Sequence, residues 1–207
     1  MNVKEAYAEW SHTYDEDHNL TRDLDEEVMR QTFIGKRYPA VLEIGCGTGK
    51  NTELLARIAD RVQALDFSEA MIERARRRSS TSNVTFAIAD LTTRWPIEDD
   101  SINLISCNLV LEHIEDLLFI FAEAARVLAT DGQFFVDELH PFRQYRGTLA
   151  SFQRNGETQT IQAFVHDVTD FIDAALNNNL ALEAIKEWRH AEDQDKPPRL
   201  ISFLFRK

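Results

Sequence analysis

A chain of 207 residues with 43% hydrophobic and 28% charged side chains can bury one sizeable core without disulfides or metals. Asp and Glu outnumber Lys and Arg by 35 to 23, a formal charge of −12 that disfavours nonspecific nucleic-acid binding. Two cysteines, Cys46 and Cys107, exclude a disulfide scaffold, and no apolar run approaches a membrane span.

Taken in order, the first 30 residues carry nine acids and no apolar core segment, so no secretory leader is expected. The expectation is a cytoplasmic protein, monomer or homodimer, with neither nucleic acid nor membrane as partner. Residues 1–34 mix Tyr, Trp and His with acids and predict one or two helices lying over another part of the protein. From 40 to 138 the pattern alternates: residues 40–44, 62–65, 84–88, 102–106 and 133–136 predict short buried strands. Residues 51–59, 69–78 and 117–128 between them carry apolar side chains at helical spacing, with Ser68 a ready N-cap. Such alternation predicts an α/β fold with a parallel sheet covered on both faces. Beyond His140-Pro141 the alternation stops. Asn155-Gly156 between 149–154 and 158–165 is a hairpin signal. A helix over 168–177, an extended stretch over 180–188 and a closing strand over 200–205 complete the chain.

The most informative run is Val41-Leu42-Glu43-Ile44-Gly45-Cys46-Gly47-Thr48-Gly49, an apolar strand leading through three alternate glycines into a helix. Glycines permit positive φ and close backbone approach to a ligand, and the helix start behind them offers free N–H groups. Lys50 stands where a dinucleotide fingerprint needs glycine, and Gly49-Lys50-Asn51 fails the phosphate-loop pattern. Asp66 ends the second predicted strand, where an acid can accept both hydroxyls of a ribose. Asp90-Leu91 closes the third strand in the same way, suited to an adenine amino group and ring face.

These residues resemble those of the class I S-adenosylmethionine-dependent methyltransferases. The resemblance covers residues 35–140 and rests on the glycine loop, on Asp66 within Ala64-Leu65-Asp66-Phe67-Ser68, on Asp90, and on Leu109-Val110-Leu111-Glu112-His113-Ile114. It implies a Rossmann-like seven-stranded, mostly parallel sheet in the order 3-2-1-4-5-7-6, strand 7 antiparallel, with helices on both faces. It implies one methyltransferase domain over 1–207: an N-terminal lid (1–34), a cofactor-binding half (35–140) and a substrate-side flap with closing strands (141–207). S-adenosyl-L-methionine is the implied cofactor and a small molecule the implied methyl acceptor, at O or N. By position, Glu43, Gly45, Cys46, Gly47 and Gly49 are expected against the amino-acid part of the cofactor. Asp66 is expected at the ribose, Phe67 beside the adenine, Asp90 and Leu91 at its edge, and Asn108 and Leu109 at the sulfonium end. Asn103 departs from the acid that many members carry at the start of the fourth strand, a position usually structural.

Methyl transfer needs alignment and desolvation, and a base where the acceptor carries a proton. His140, near the tip of the fifth strand, is the first candidate base, against a loop histidine bonded to a backbone carbonyl. Glu112 comes next, beside His113, which reads as structural. Tyr14, with Tyr7, Trp10 and His12, resembles a family lid motif, against an amphipathic helix packing its rings. Arg143, Tyr145, Arg146 and His166 belong to a flap that either recognises a polar acceptor or lies exposed. Arg74, Arg76, Arg77 and Arg78 read as a helix C-terminus. No His-Glu-x-x-His pairing or spaced cysteines occur, so no metal site is expected. A protein methyltransferase and a noncatalytic module retaining the cofactor fold are the competing readings.

Overall fold

The computed structural model describes residues 2–154 and 157–207. Seven strands form the main sheet: β1 (Tyr38–Ile44), β2 (Ala59–Asp66), β3 (Val84–Ile88), β4 (Ile102–Asn108), β5 (Leu128–Leu139), β8 (Ala181–Trp188) and β9 (Leu200–Arg206). A hairpin of β6 (Ser151–Arg154) and β7 (Glu157–Thr160) stands apart, and its expected Asn155-Gly156 turn lies outside the described residues. The sheet order is β3-β2-β1-β4-β5-β9-β8. Because the hairpin occupies two places in chain order, β8 and β9 are the sixth and seventh sheet strands, and the order matches the one expected. The first five strands pair in parallel, and β9 runs antiparallel between β5 and β8.

Strand periodicity divides the core. In β1, Val41 faces one side with Leu104 of β4 and Phe135 of β5, whereas Leu42 faces the other with Ile105 and Phe134. Helices α2 (Leu20–Phe33) and α3 (Thr52–Ile58) cover the first side through Leu24, Val28, Met29, Phe33 and Leu55. Helices α5 (Leu117–Val127) and α7 (Val168–Asn177) cover the second through Ile120, Phe121, Phe171 and Ala174. Asn103 supplies a neutral substitute for the missing acid: its Oδ1 accepts the Ala40 N–H at 3.1 Å and joins β4 to β1.

Local chemistry sets the helix ends. Helix α4 (Glu69–Arg78) begins at Ser68, whose hydroxyl accepts the Met71 N–H, and ends on three arginines. Those arginines have neighbours within the protein: Arg76 donates to the Phe86 carbonyl, Arg77 pairs with Glu73, and Arg78 reaches Asp15 and Thr48. The aromatic N-terminus folds into two helices, α1 (Val3–Trp10), capped by Asn2, and α2, capped by Asn19. A short helix, α6 (Pro141–Tyr145), was not anticipated from sequence; Pro141 at its first position is the signal that pointed to it. Among the described residues no helix is long and apolar enough to cross a membrane.

Phe134 is fully buried with its ring 5.1 Å from that of Phe121 and 6.4 Å from that of Phe205, tying β5 to α5 and β9. Phe134→Ala is therefore expected to lower the unfolding free energy by about 3–5 kcal/mol. In urea titration the midpoint falls while the slope stays unchanged.

Candidate active site

The carboxyl ends of β1, β2, β4 and β5 open onto three adjoining cavities. The first, of about 270 Å³, runs past Gly45, Gly47, Asp66, Phe67, Asp90 and Leu91 to Asn108 and His113. The second, of about 60 Å³, is lined by Arg22, Asp25, Glu43, Cys46, Lys50 and Asn51. The third, of about 90 Å³, lies between Tyr7, Trp10 and Glu112 and the flap residues Thr148, Leu149 and Ala150. Among the described residues only Tyr14 and Leu109 line all three.

The glycine loop is held by β2. The Leu65 carbonyl accepts the N–H groups of both Gly45 (2.8 Å) and Cys46 (2.9 Å), and Asp66 Oδ2 accepts that of Gly47 (2.9 Å). These bonds spend the N–H groups of Gly45, Cys46 and Gly47 inside the protein, which leaves this stretch of the loop a shaped wall rather than an anion cradle. Gly45 has φ +70°, and a Cβ there would lie 2.2 Å from Val110 Cγ2. Gly47, at φ +52°, has open space where a Cβ would point. Gly49, expected at the ligand, lines none of the cavities; a Cβ on it would stand 3.1 Å from Ala75 Cβ, so it lets α4 approach.

Leu109 follows β4 with φ +58°, a left-handed conformation that costs a non-glycine residue about 1–2 kcal/mol. Its N–H bonds the Asp137 carbonyl at 2.9 Å, and the turn presents the side chain to all three cavities. Asn108 is anchored on both sides: Oδ1 accepts from Ser106 (2.7 Å) and Nδ2 donates to Asp25 Oδ1 (2.6 Å).

Buried acids crowd this end of the sheet. Burial pushes Glu43 up to about 8 although Thr52 donates to it at 2.5 Å. Glu138 rises to about 8 from the same cause, even though its Oε1 accepts the N–H groups of Val110 and Leu111. Asp66 also lies above its ordinary value because it is desolvated. Asp25, raised by burial, accepts from Asn51 Nδ2 at 2.7 Å. Fully buried Asp137 has no hydrogen-bond partner for either carboxyl oxygen and is raised strongly by desolvation and then by the neighbouring Asp25 charge.

Arg22 and Asp25, from the first turns of α2, are site residues to which the sequence, naming the run 21–25 with the lid, assigned no role. The Arg22 guanidinium lies 4.1 Å from the centre of the Tyr14 ring and donates to the carbonyls of Tyr14 and Asp17. The only sequence signal is their three-residue spacing, which continues to Val28 in the core. Tyr14 itself is half-buried and pushed up to about 12 by desolvation, so it remains a neutral phenol.

His140 requires correction. It lines none of the three cavities; its Nδ1 caps α6 by accepting the Phe142 N–H at 3.2 Å, and its Nε2 lies 3.1 Å from Glu187 Oε1. The strand-end position was read correctly, but β5 runs on to Leu139, so the ring is spent on the next helix and β8. Glu112 does face the third cavity, buried and raised above its ordinary value by desolvation. Of the flap residues, Arg143 turns inward to Asp193 (2.8 Å), Tyr145 donates to Asp167, and His166 Nε2 donates to the Ile114 carbonyl.

The six raised carboxyls predict a pH dependence. A group whose pKa is higher folded than unfolded binds more protons in the native state, so stability falls as pH climbs between the two values. For Glu43 and Glu138 that window runs from 4.5 to about 8. The thermal midpoint of the ligand-free protein is expected to decline across it. Glu138→Gln, which keeps the acceptor for Val110 and Leu111, should flatten the decline.

Comparison with known proteins follows the same lines. A methyltransferase domain model matches residues 42–136. A malonyl-acyl-carrier-protein O-methyltransferase from Xylella fastidiosa is 30% identical over 135 residues, 63% of this chain and 46% of the relative. A ubiquinone biosynthesis O-methyltransferase from Xylella fastidiosa is 33% identical over 133 residues, 60% of this chain and 50% of the relative. The chain thus spans about half the length of these curated relatives. Among solved structures, an S-adenosylmethionine-dependent methyltransferase from Mesorhizobium loti superposes with a TM-score of 0.74 at 20% identity, covering 87% of this chain and 96% of that one. The Streptomyces coelicolor geranyl diphosphate C-methyltransferase, solved with Mg2+, geranyl diphosphate and S-adenosyl-L-homocysteine, gives 0.67 at 15% identity, covering 89% and 79%. Over residues 42–136 the chain thus matches a methyltransferase domain, and its seven-stranded sheet gives it the fold of the S-adenosylmethionine-dependent methyltransferases.

Proposed function

We propose that the protein transfers a methyl group from S-adenosyl-L-methionine to an oxygen atom of a small-molecule acceptor. The observation that carries the reading is the junction of the three cavities at Tyr14 and Leu109. The residues present fit the cofactor. Each Asp66 oxygen accepts one backbone N–H, which leaves lone pairs for the two ribose hydroxyls. Phe67 and Leu91 supply apolar faces for an adenine, with Asp90 at its edge. In the second cavity a cation (Arg22), an acid (Asp25) and the unpartnered Asn51 Oδ1 match a zwitterionic amino-acid end, beside Glu43 and Cys46. When bound, the cofactor supplies an electrophilic methyl group on a positively charged sulfur.

The chain's own part is alignment and exclusion of water, which can supply about 7–11 kcal/mol of the barrier. Helices α1 and α2 act as the lid, with Tyr7, Trp10 and Tyr14 facing the acceptor space. The neutral Tyr14 phenol and the Leu109 side chain then flank the sulfur, and Glu112 meets the acceptor. The third cavity, about 90 Å³ and walled by rings, suits a small molecule rather than a polypeptide segment. The two O-methyltransferase relatives favour oxygen.

The protein incubated with isotopically labelled S-adenosylmethionine and a metabolite extract should yield a labelled small-molecule methyl ether or ester by mass spectrometry. Label confined to protein, or none transferred, contradicts the reading. Separately, Asp66→Ala is expected to weaken S-adenosylhomocysteine binding about 10–100-fold in calorimetry, because a charged acceptor of two hydroxyls is lost. Unchanged affinity would remove Asp66 from the cofactor site.

A further inference from the structure

Tyr7, on the lid helix α1, lines both the first and third cavities. Its hydroxyl is 2.8 Å from His113 Nε2. The other ring nitrogen, Nδ1, is 2.9 Å from the backbone carbonyl of Gln162. A carbonyl only accepts, so Nδ1 carries the imidazole proton. Nε2 is then a lone pair, and Tyr7 donates to it. Glu112 Oε1 stands 3.8 Å from the same Nε2. The backbone around them is fixed, because the Phe164 N–H bonds the Glu112 carbonyl at 2.7 Å and His166 bonds that of Ile114.

A tyrosine–imidazole pair with one oriented tautomer and a carboxyl behind it is the arrangement that moves a proton away from a reacting oxygen. Tyr7 cannot serve alone. Burial, with Tyr14, Glu112, Asp66 and Glu138 around it, holds its phenol well above the usual value near 10. Those groups and His113 are the titratable neighbours that face it; the carboxyls among them disfavour a phenolate.

We propose that Tyr7 and His113 form a proton relay for the acceptor, and that the acceptor is therefore a hydroxyl compound rather than a carboxylate. This rests on the methyl-transfer reading above and adds the acceptor class and the base. In the step, the acceptor oxygen forms its bond to the methyl carbon as the carbon–sulfur bond breaks, the bonding pair remaining on sulfur. The acceptor proton passes to the Tyr7 oxygen while the Tyr7 proton passes to His113 Nε2. Glu112 faces the resulting imidazolium, which returns its proton to solvent after product leaves. A carboxylate acceptor arrives without a proton and has no use for such a relay. Tyr7 is the catalytic group, and His113 acts through it. Since Tyr7 belongs to the lid, the relay is assembled only when α1 is seated.

The test uses the full-length protein with two probes, 3,4-dihydroxybenzoate as a hydroxyl acceptor and malonyl-coenzyme A as a carboxylate acceptor, and labelled S-adenosylmethionine. Nitrogen-15 NMR of the free protein should show His113 as the Nδ1–H tautomer with Nε2 accepting a hydrogen bond; an Nε2–H tautomer overturns the proposal. Transfer to the hydroxyl probe should fall about 100-fold or more in Tyr7→Phe. His113→Gln, whose amide oxygen can still accept from Tyr7 but cannot take the proton, should show a comparable loss and no acidic limb in its pH profile. S-adenosylhomocysteine binding and the thermal midpoint, measured on both variants, separate a lost relay from a lost fold. Near-native turnover in Tyr7→Phe, or transfer to the carboxylate probe alone, overturns the relay. Transfer to neither probe with S-adenosylhomocysteine binding intact overturns it too, and leaves the cofactor site standing; absence of binding and transfer together overturns the functional reading itself.

Discussion

The end of β2 holds the rest of the site in place. One carbonyl, that of Leu65, takes two N–H groups from the glycine loop, and the neighbouring Asp66 carboxylate takes a third. A loop with positive φ at Gly45, Gly47 and Gly49 has no regular partner of its own, so these bonds fix its path. Once the loop is fixed, Val110 can pack where a Cβ on Gly45 would be, and the turn after β4 is placed with it. The strained Leu109 follows from that turn, and with it the meeting point of the three cavities. The strain at Leu109 is held by Glu138, which binds the next two N–H groups, and by the Asp137 carbonyl.

The cost of this arrangement is electrostatic. Glu43, Asp66, Asp137 and Glu138 sit at the carboxyl ends of β1, β2 and β5, and Asp25 is brought to them by α2. Each is desolvated and held toward its protonated form. A cationic ligand seated among them would draw these carboxyls toward their charged form, which accords with a cofactor carrying both an ammonium and a sulfonium. Arg22 is a buried cation at its border, aimed at backbone carbonyls and stacked on Tyr14.

Much of this was legible in the sequence because the physics is local. Short apolar runs set between helical patterns assigned β1, β3 and β4 to within a few residues, and Ser68 with the basic end fixed α4 and matched it over Glu69–Arg78. The alternate glycines and the acids after β2 and β3 located the first cavity. What was not legible depends on partners distant in the chain. His140 looked well placed on strand position alone, but its ring is committed to α6 and to Glu187, 47 residues away. Gly49 carries the same composition signal as Gly47 yet serves helix packing against Ala75. Arg22 and Asp25 resemble ordinary members of a charged helix until α2 is laid against β1 and β4. His113, read from sequence as structural, meets Tyr7 across 106 residues of chain, a contact that no spacing rule encodes.

The central claim is that three cavities meet at Tyr14 and Leu109 to bring a methyl donor and its acceptor together. A crystal structure with S-adenosylhomocysteine tests it most directly. The account predicts ribose hydroxyls on Asp66, the amino-acid end between Arg22 and Asp25, and the sulfur facing Tyr14 and Leu109. A ligand bound elsewhere, or one whose sulfur points away from the third cavity, would contradict it.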